Sequence, residues 1–187
     1  MTFRILIADD EALIRRDLRE MLEELGHVVV AEARKGTDIG PLVQAHKPDV
    51  LLLDIVMPGM SGIDAAKALA DEYPIVMLTA HSSADLVLAA RDAGAMAYLT
   101  KPVRKNDIGP SLELAVTHFL RESLLTDKVR TLSSQLETRK LVDRAKSLMM
   151  QRMHCTEADA HRQLQALSMA QNLSLREVAQ TILSGNV

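Results

Sequence analysis

Five short apolar runs divide the first 120 residues, and their spacing is the feature that most restricts the fold. The runs are RILIA (4–8), HVVVAEA (27–33), DVLLLDI (49–55), IVMLTA (75–80) and MAYLT (96–100). Each run has the length of a strand and lacks polar alternation, as expected of strands buried on both faces. The intervening segments repeat their apolar residues at helical spacing. The pattern predicts an α/β fold in which helices cover both faces of a five-stranded parallel sheet.

Polar side chains occur where these predicted strands end. They are Asp9, Asp10 and Glu11 after the first run, Asp54 in the third, Thr79 in the fourth and Lys101 after the fifth. Open parallel sheets place their sites at the carboxyl ends of the strands, so we expect these groups to converge. Crowded carboxylates repel one another unless a cation joins them, and Mg²⁺ prefers oxygen ligands. A carboxylate beside a metal ion and a lysine is also suited to accept a phosphoryl group.

A simpler interpretation exists for each of these residues taken alone. Asp9 and Asp10 are also suitable helix N-cap residues, because carboxylates are favoured there. Lys101, taken alone, could be a solvated lysine at a turn. The joint placement of three aspartates, one hydroxyl and one ammonium at strand ends favours the phosphoryl site; these are Asp9, Asp10, Asp54, Thr79 and Lys101.

From residue 105 onward the strand signals stop, and the sequence predicts a long helix over 112–140. Four apolar residues on it alternate steps of four and three, which is the seam spacing of a coiled coil. They are Leu125, Val129, Leu132 and Leu136. This seam predicts pairing with a second copy of the chain. The alternative is packing against other parts of the same chain, because the clean pattern covers about two heptads.

Three shorter helices are predicted after the seam. The first spans 138–153, with Leu141, Ala145, Leu148, Met149 and Met153 on its apolar face. Thr156 with Asp159 begins the second, which runs to about residue 171, and Ser174 with Glu177 begins the third. The methionines, His154 and Cys155 near residue 150 suggest a soft-metal site as an alternative. Because these side chains are spread around a helix and its exit turn, packing is the favoured interpretation.

Composition and charge separate the two halves of the chain. Residues 1–120 contain 12 Lys and Arg against 18 Asp and Glu, whereas residues 121–187 contain 10 against 7. This asymmetry suggests two functions, with an anionic partner for the second half. A single cysteine, the absence of a signal-peptide pattern and the lack of a long apolar run predict a cytoplasmic protein with no membrane contact.

The motifs ILIADDE, LLLDIVMPGMSG, IVMLTA and AYLTKP, in this order, resemble the receiver domains of two-component systems. The resemblance implies a flavodoxin-like, doubly wound five-stranded parallel sheet over residues 1–120, phosphorylated by a sensor histidine kinase. The assigned residues are Asp54 as phosphoacceptor, Asp9, Asp10, Asp54 and the Val56 carbonyl as Mg²⁺ ligands, Thr79 and Lys101 as phosphoryl contacts, and Tyr98 as the aromatic switch. The alternative for Tyr98 is a core residue with a solvated hydroxyl.

Residues 136–183 resemble the ANTAR domain, a three-helix RNA-binding module of transcription antiterminators. The matching features are Arg139, Val142, Ala145-Lys146, Leu148-Met149, Glu157, Ala160, Leu164, Ser168, Leu175 and Val178-Ala179. Two positions depart from the family pattern: Ser147 stands where glycine is usual, and His161 replaces an aromatic residue. The resemblance implies RNA contacts by the cations of the first helix, which are Arg139, Lys140, Arg144, Lys146 and Arg152. The alternative is that these are ordinary solvated charges.

The sequence thus predicts three parts: a receiver domain at 1–120, a connecting helix at 112–140 and an ANTAR-like domain at 136–187. The predicted function is a non-enzymatic response regulator that binds RNA hairpins in leader transcripts, with dimerisation promoted by phosphorylation. We expect slow self-hydrolysis at the Mg²⁺ site to remove the phosphoryl group. The alternatives are a DNA-binding or a protein-interaction output. The last helix carries Arg176 as its one cation, which disfavours a DNA recognition helix.

Overall fold

The computed structural model describes residues 1–80 and 84–184. The chain divides into two units, residues 1–124 and residues 125–187. The boundary between them falls inside one long helix. None of the described helices combines the length and the hydrophobicity that a membrane span requires.

The first unit contains a parallel sheet of five strands in the order β2-β1-β3-β4-β5. The strands are β1 (Arg4–Ala8), β2 (Val28–Ala33), β3 (Val50–Asp54), β4 (Ile75–Thr79) and β5 (Ala97–Thr100). Each strand lies within one residue of the predicted run. The predicted flavodoxin-like fold is confirmed, and its order places β1 and β3 side by side at the centre of the sheet.

Four helices connect the strands, and a fifth follows β5. They are α1 (Ala12–Glu24), α2 (Gly36–His46), α3 (Gly62–Leu69), α4 (Ala84–Asp92) and α5 (Lys105–Met153). Alternate residues of each central strand point to opposite faces, so the sheet has two apolar cores. Leu51 and Leu53 of β3 pack into the core beneath α2 and α3, whereas Leu52 packs into the core beneath α1 and the first turns of α5.

The α5 helix corrects one expectation from the sequence. Separate helices were expected over 112–140 and 138–153, but a single helix runs from Lys105 to Met153. Residues 111–153 contain neither glycine nor proline, so nothing in this stretch ends the helix. Ile108 and Leu112 of this helix pack in the first unit, and Ala145 and Met149 pack in the second.

The second unit adds α6 (Glu157–Gln171) and α7 (Leu175–Ser184) to the last part of α5. Its core contains Ala145, Met149, Ala160, Leu164, Val178, Ala179 and Ile182. The predicted capping starts are confirmed. Thr156 and Asp159 form a reciprocal capping box for α6, and Ser174 with Glu177 makes the same pair of contacts before α7.

Met153 departs from its expected place on the apolar face of the helix. Its side chain is 54% exposed, whereas Met149, one turn earlier, is 7% exposed. Met153 is the last residue of α5, and the chain leaves the helix through His154 in a left-handed conformation. The residues that pack against the apolar face of α5 therefore reach Met149 but not Met153, although the apolar sequence pattern includes both.

Candidate functional site

Four strand ends bring the predicted receiver residues together at one edge of the sheet. Asp54 and Thr79 are the last residues of β3 and β4, while Asp9 and Lys101 follow β1 and β5. A cavity of about 340 Å³ lies at this edge. It is lined by Asp10, Glu11, Asp54, Ile55, Val56, Thr79, Ala80, Leu86 and Lys101. Five of the predicted site residues therefore line a single cavity.

Lys101 joins two of the carboxylates. Its Nζ atom lies 2.7 Å from Asp9 Oδ2 and 3.0 Å from Asp54 Oδ2. Asp9 is fully buried, and its Oδ2 atom has no hydrogen-bond donor besides this ammonium among the described residues. The Lys101 backbone N–H donates to the Thr79 carbonyl at 2.7 Å, which fixes the end of β5 against β4.

Two effects determine the pKa values of Asp54 and Lys101: burial, and the sharing of the Lys101 ammonium by the carboxylates of Asp9 and Asp54. Burial raises the pKa of the Asp54 carboxyl, and the nearby Asp9 raises it further, against the lowering effect of Lys101. Burial lowers the pKa of Lys101, but its hydrogen bonds to Asp9 and Asp54 outweigh burial and leave it above the ordinary value. Two carboxylates share one cation, so each is compensated only in part.

The carboxylates of Asp9, Asp10 and Asp54 form a plausible metal-binding set. One oxygen of each lies within 4.8 Å of the others, and no other trio of His, Cys, Asp or Glu side chains in the described ranges does the same. Three carboxylates with one lysine leave an excess of negative charge. Hard oxygen donors at this spacing fit a hard divalent cation such as Mg²⁺.

The loop after β3 is held close to the acidic group by Gly62, the first residue of α3. A Cβ atom at this position would lie 1.9 Å from the Asp54 carbonyl oxygen. The Gly62 N–H donates to the Ile55 carbonyl, and Ser61 caps the helix by accepting from the Asp64 N–H. The absence of a side chain thus allows α3 to begin directly against the end of the acceptor strand.

Arg15 is a structural contributor that the sequence analysis missed. Its side chain is 5% exposed, and its Nη1 atom donates to the carbonyls of Asp9 at 2.7 Å and Asp10 at 3.2 Å. Its Nε atom donates to Glu32 of β2. Arg15 therefore holds the backbone of the acidic loop. A signal was present, since Arg15 shares a helical stripe with Leu18 and Leu22, and a charge at such a position requires partners.

Tyr98 lies on β5, outside the cavity lining. Its hydroxyl donates to the Val87 carbonyl of α4 at 3.2 Å, and its ring packs at the edge of the core beneath α3 and α4. Burial raises the pKa of the Tyr98 hydroxyl. This contact links β5 to α4. The switch role of Tyr98 stays a prediction.

The five predicted RNA contacts lie on the last four turns of α5 and differ in availability. Lys146 Nζ lies 2.8 Å from Asp143 and 2.7 Å from Glu157, and these hydrogen bonds raise its pKa. The other four side chains form no ion pair within the described part of the chain. These four are Arg139, Lys140, Arg144 and Arg152. Lys146 is therefore the cation least available to an external anion.

The predicted seam is exposed along α5. The side chains of Leu125, Val129, Leu132 and Leu136 are 55–64% exposed. The alternative interpretation was that the seam packs against other parts of the same chain. The described residues do not cover the seam in this way. The pairing of this seam with a second chain stays a prediction.

A doubly wound sheet with an acidic cavity and a bridging lysine at its carboxyl edge defines the receiver class of signalling domains. Residues 5–113 match the response regulator receiver domain, and residues 130–183 match the ANTAR domain. The chain belongs to the response regulators that join these two domains. It is a transcriptional regulator of the antitermination type, with an RNA-binding output.

Relatives and solved structures agree with this assignment. PdtaR, a transcriptional regulatory protein of Mycobacterium tuberculosis, is 49% identical over 182 residues, which cover 96% of this chain and 89% of PdtaR. The receiver domain of a modulated diguanylate cyclase from Desulfovibrio desulfuricans has a TM-score of 0.60 at 27% identity, covering 65% of this chain and 99% of that one. The NarL receiver domain of M. tuberculosis gives 0.54 at 30% identity, covering 65% and 96%.

Proposed function

We propose that phosphorylation of Asp54 by a sensor histidine kinase controls the binding of RNA hairpins in leader transcripts by residues 136–187. The receiver half of this proposal is supported by Lys101, which lines the cavity and whose ammonium lies between the carboxylates of Asp9 and Asp54. The ANTAR match carries the output half. Because a nascent transcript is the target, we expect the protein to act in the cytoplasm.

Asp54 is suited to act as the nucleophile. Its carboxylate oxygen attacks the phosphorus of the incoming phosphoryl group, and the donor leaves with the electrons of the broken bond. Lys101, 3.0 Å away, balances the charge of the transferred oxygens, and the Thr79 hydroxyl lines the same cavity as a donor to one of them. The bound phosphoryl group thus has partners on β4 and at the end of β5.

Asp9, Asp10 and Asp54, with the backbone carbonyl of Val56, are the groups that would hold Mg²⁺. When bound, the ion offsets the charge of the carboxylates and of the phosphoryl oxygens. Slow attack by water on the acyl phosphate then returns Asp54 to its carboxylate and releases inorganic phosphate. The protein acts as a switch, and this self-hydrolysis is its reset.

The seam residues are the proposed dimer contact. Four large apolar side chains at coiled-coil spacing on an exposed helix face are unfavourable in water, and an identical helix offers the matching spacing. Two heptads are marginal for a stable coiled coil. We therefore assign to phosphorylation the role of promoting the dimer.

Labelling with acetyl phosphate tests the receiver proposal. With Mg²⁺ present, we expect the wild type to be labelled and Asp54→Ala to remain unlabelled, because the nucleophile is missing. Asp64→Ala, which removes an exposed aspartate at the start of α3, is the matched control and retains labelling. Equal labelling of the wild type and Asp54→Ala contradicts the assignment.

Selection from random-loop pools tests the output. The phosphorylated protein is incubated with pools of RNA hairpins and of duplex DNA of equal length. Enrichment of RNA hairpins supports the proposal. Enrichment of duplex DNA, or of neither pool, contradicts it in favour of a DNA-binding or a protein-interaction output.

A further inference from the structure

Two adjoining cavities open on the second unit, on either side of Leu148. One, of about 390 Å³, is lined by Asp143, Arg144, Ser147, Leu148, Gln151 and Leu183. The other, of about 240 Å³, is lined by Leu148, Met149, Arg152, Met153, Gln163, Leu167 and Ile182. Both cavities lie between α5 and α7, and the second also reaches α6.

The smaller cavity combines an apolar interior with two polar groups of distinct chemistry. Five of its seven lining side chains are aliphatic or methionine. Arg152 contributes an exposed guanidinium with no ion pair in the described ranges, and Gln163 contributes a carboxamide from α6. Ligand sites typically have this form, with apolar walls and a few polar groups that fix orientation.

An unstacked nucleobase has the chemistry that matches these walls. Proteins that read single-stranded loops of RNA stack the bases on aromatic rings or on arginine planes. The sequence has no Phe, Tyr or Trp after Phe119, so a base bound by residues 120–187 would stack on a histidine ring or an arginine plane. The planar guanidinium of Arg152 supplies a stacking surface, and the soft sulfurs of Met149 and Met153 pack well against an aromatic face.

The surrounding charges favour a nucleic acid as the occupant. Arg144 lines the adjoining cavity, two turns before Arg152 on the same stripe of α5, and Lys140 lies one turn earlier still. None of these three cations forms an ion pair in the described part of the chain. The one carboxylate of the two linings, Asp143, is paired with Lys146. A phosphate backbone running along this stripe therefore meets cations.

We propose that the cavity beneath Arg152 accepts one unstacked base from the loop of an RNA hairpin. The Arg152 guanidinium lies over the face of the base, and the Gln163 amide reads its edge by donating and accepting hydrogen bonds. Arg144 and Lys140 contact the adjacent phosphates. This assignment rests on the proposed RNA-binding function, and it gives the exposed Met153 side chain of the cavity lining a contact with the base.

An abasic scan of a selected hairpin tests the assignment. The probe is an RNA hairpin selected by the phosphorylated wild type, with each loop base removed in turn. We expect one abasic position to weaken binding by roughly tenfold, as for the loss of one stacked base. Arg152→Lys keeps the charge but removes the plane. It is therefore expected to bind the intact hairpin about tenfold more weakly and to be insensitive to that abasic position.

Two matched controls separate this role from general electrostatics and from folding. Arg162→Lys changes an exposed arginine of α6 that pairs with Asp159, and it should leave the abasic penalty unchanged. Gln163→Leu should no longer discriminate between different bases at the same loop position. Gln165→Leu, on an exposed face of α6, is its control and should keep this discrimination. Circular dichroism verifies that each variant is folded.

The outcomes distinguish this assignment from the function on which it rests. If no RNA hairpin is enriched, the proposed function fails and the base site fails with it. If hairpins are enriched but Arg152→Lys keeps the wild-type affinity and the full abasic penalty, the base site is overturned while RNA binding stands.

Discussion

At the scale of single residues, a guanidinium on the buried stripe of α1 holds the loop that carries the acidic group. Arg15 donates to the backbone carbonyls of Asp9 and Asp10 and leaves their carboxylates for other partners. Glu32 of β2 contacts Arg15 and also pairs with Arg19, which keeps the buried charge compensated. A buried charge with fixed partners is costly to break, so this loop has little freedom to reorient.

Removal of this guanidinium should weaken the metal site. We expect Arg15→Ala to lower Mg²⁺ affinity by about tenfold, as for other losses of groups that orient metal ligands. Isothermal titration with MgCl₂ measures this change without phosphorylation. Arg16→Ala is the matched control, because Arg16 is exposed and pairs only with Glu20 in the described part of the chain. Circular dichroism checks that both variants fold. Unchanged Mg²⁺ affinity in a folded Arg15→Ala protein contradicts this role.

The site residues differ in how readily the sequence revealed them. Asp9, Asp54 and Lys101 were predictable because parallel strands must place their carboxyl ends at one edge. Arg15 was not predicted: its place on the apolar stripe of α1 indicated burial, but its backbone-carbonyl partners leave no pattern of residue types. The exposure of Met153 was also missed, because helical periodicity does not show where the packing partners end.

At the scale of elements, the start of α3 lies against the end of β3, whose last residue lines the acidic cavity. Gly62 lies against the Asp54 carbonyl, and a Cβ atom there would overlap that backbone oxygen. Gly40 of α2, by contrast, has open space where its Cβ atom would be. We therefore expect Gly62 and Gly40 to respond differently to replacement by alanine.

Gly62→Ala should lower the free energy of unfolding of the first unit by about 1–3 kcal/mol, as for other cases of overpacking. It should also slow labelling by acetyl phosphate, because the end of β3 must shift to relieve the overlap. Gly40→Ala is the control, and its effect should stay within about 1 kcal/mol, because the helix preference of alanine is offset by crowding against the ring of Pro41. Urea unfolding measures both changes. Equal stability of the two variants contradicts the close approach at Gly62.

The helices also show where sequence patterns fail. The starts of α6 and α7 were predictable, because Thr156 and Ser174 have their capping partners three residues later. The continuity of α5 was not. Along α5 the apolar residues first face the sheet of the first unit, then solvent, and then the core of the second unit. The apolar pattern changes phase between these stretches, and in a sequence such a change looks like the end of one helix and the start of another.

At the scale of the whole molecule, α5 contributes to both units and to the exposed seam. Ile108, Leu112 and Ala115 belong to the core of the first unit. Leu125 and Leu136 mark the two ends of the seam, after which the same helix enters the core of the second unit. In the proposed mechanism, a phosphoryl group at Asp54 attracts Thr79 and Lys101, at the ends of β4 and β5. Residues 101–104 connect β5 to α5, so we expect a shift there to act on the helix that carries the seam.

Replacement of Val129 and Leu132 by Asp should uncouple phosphorylation from RNA binding. Two carboxylates on the seam oppose pairing, whereas Asp54 and Lys101 are unchanged, so labelling by acetyl phosphate should match the wild type. RNA affinity should fall by about a hundredfold, because a monomer loses the advantage of two linked binding sites on a two-hairpin RNA. Sedimentation and RNA gel shifts on the phosphorylated protein measure the two effects. The control places the same two charges at Ser133 and Ser134, beside the seam, and should remain dimeric. Full RNA affinity from a demonstrated monomer would refute the coupling.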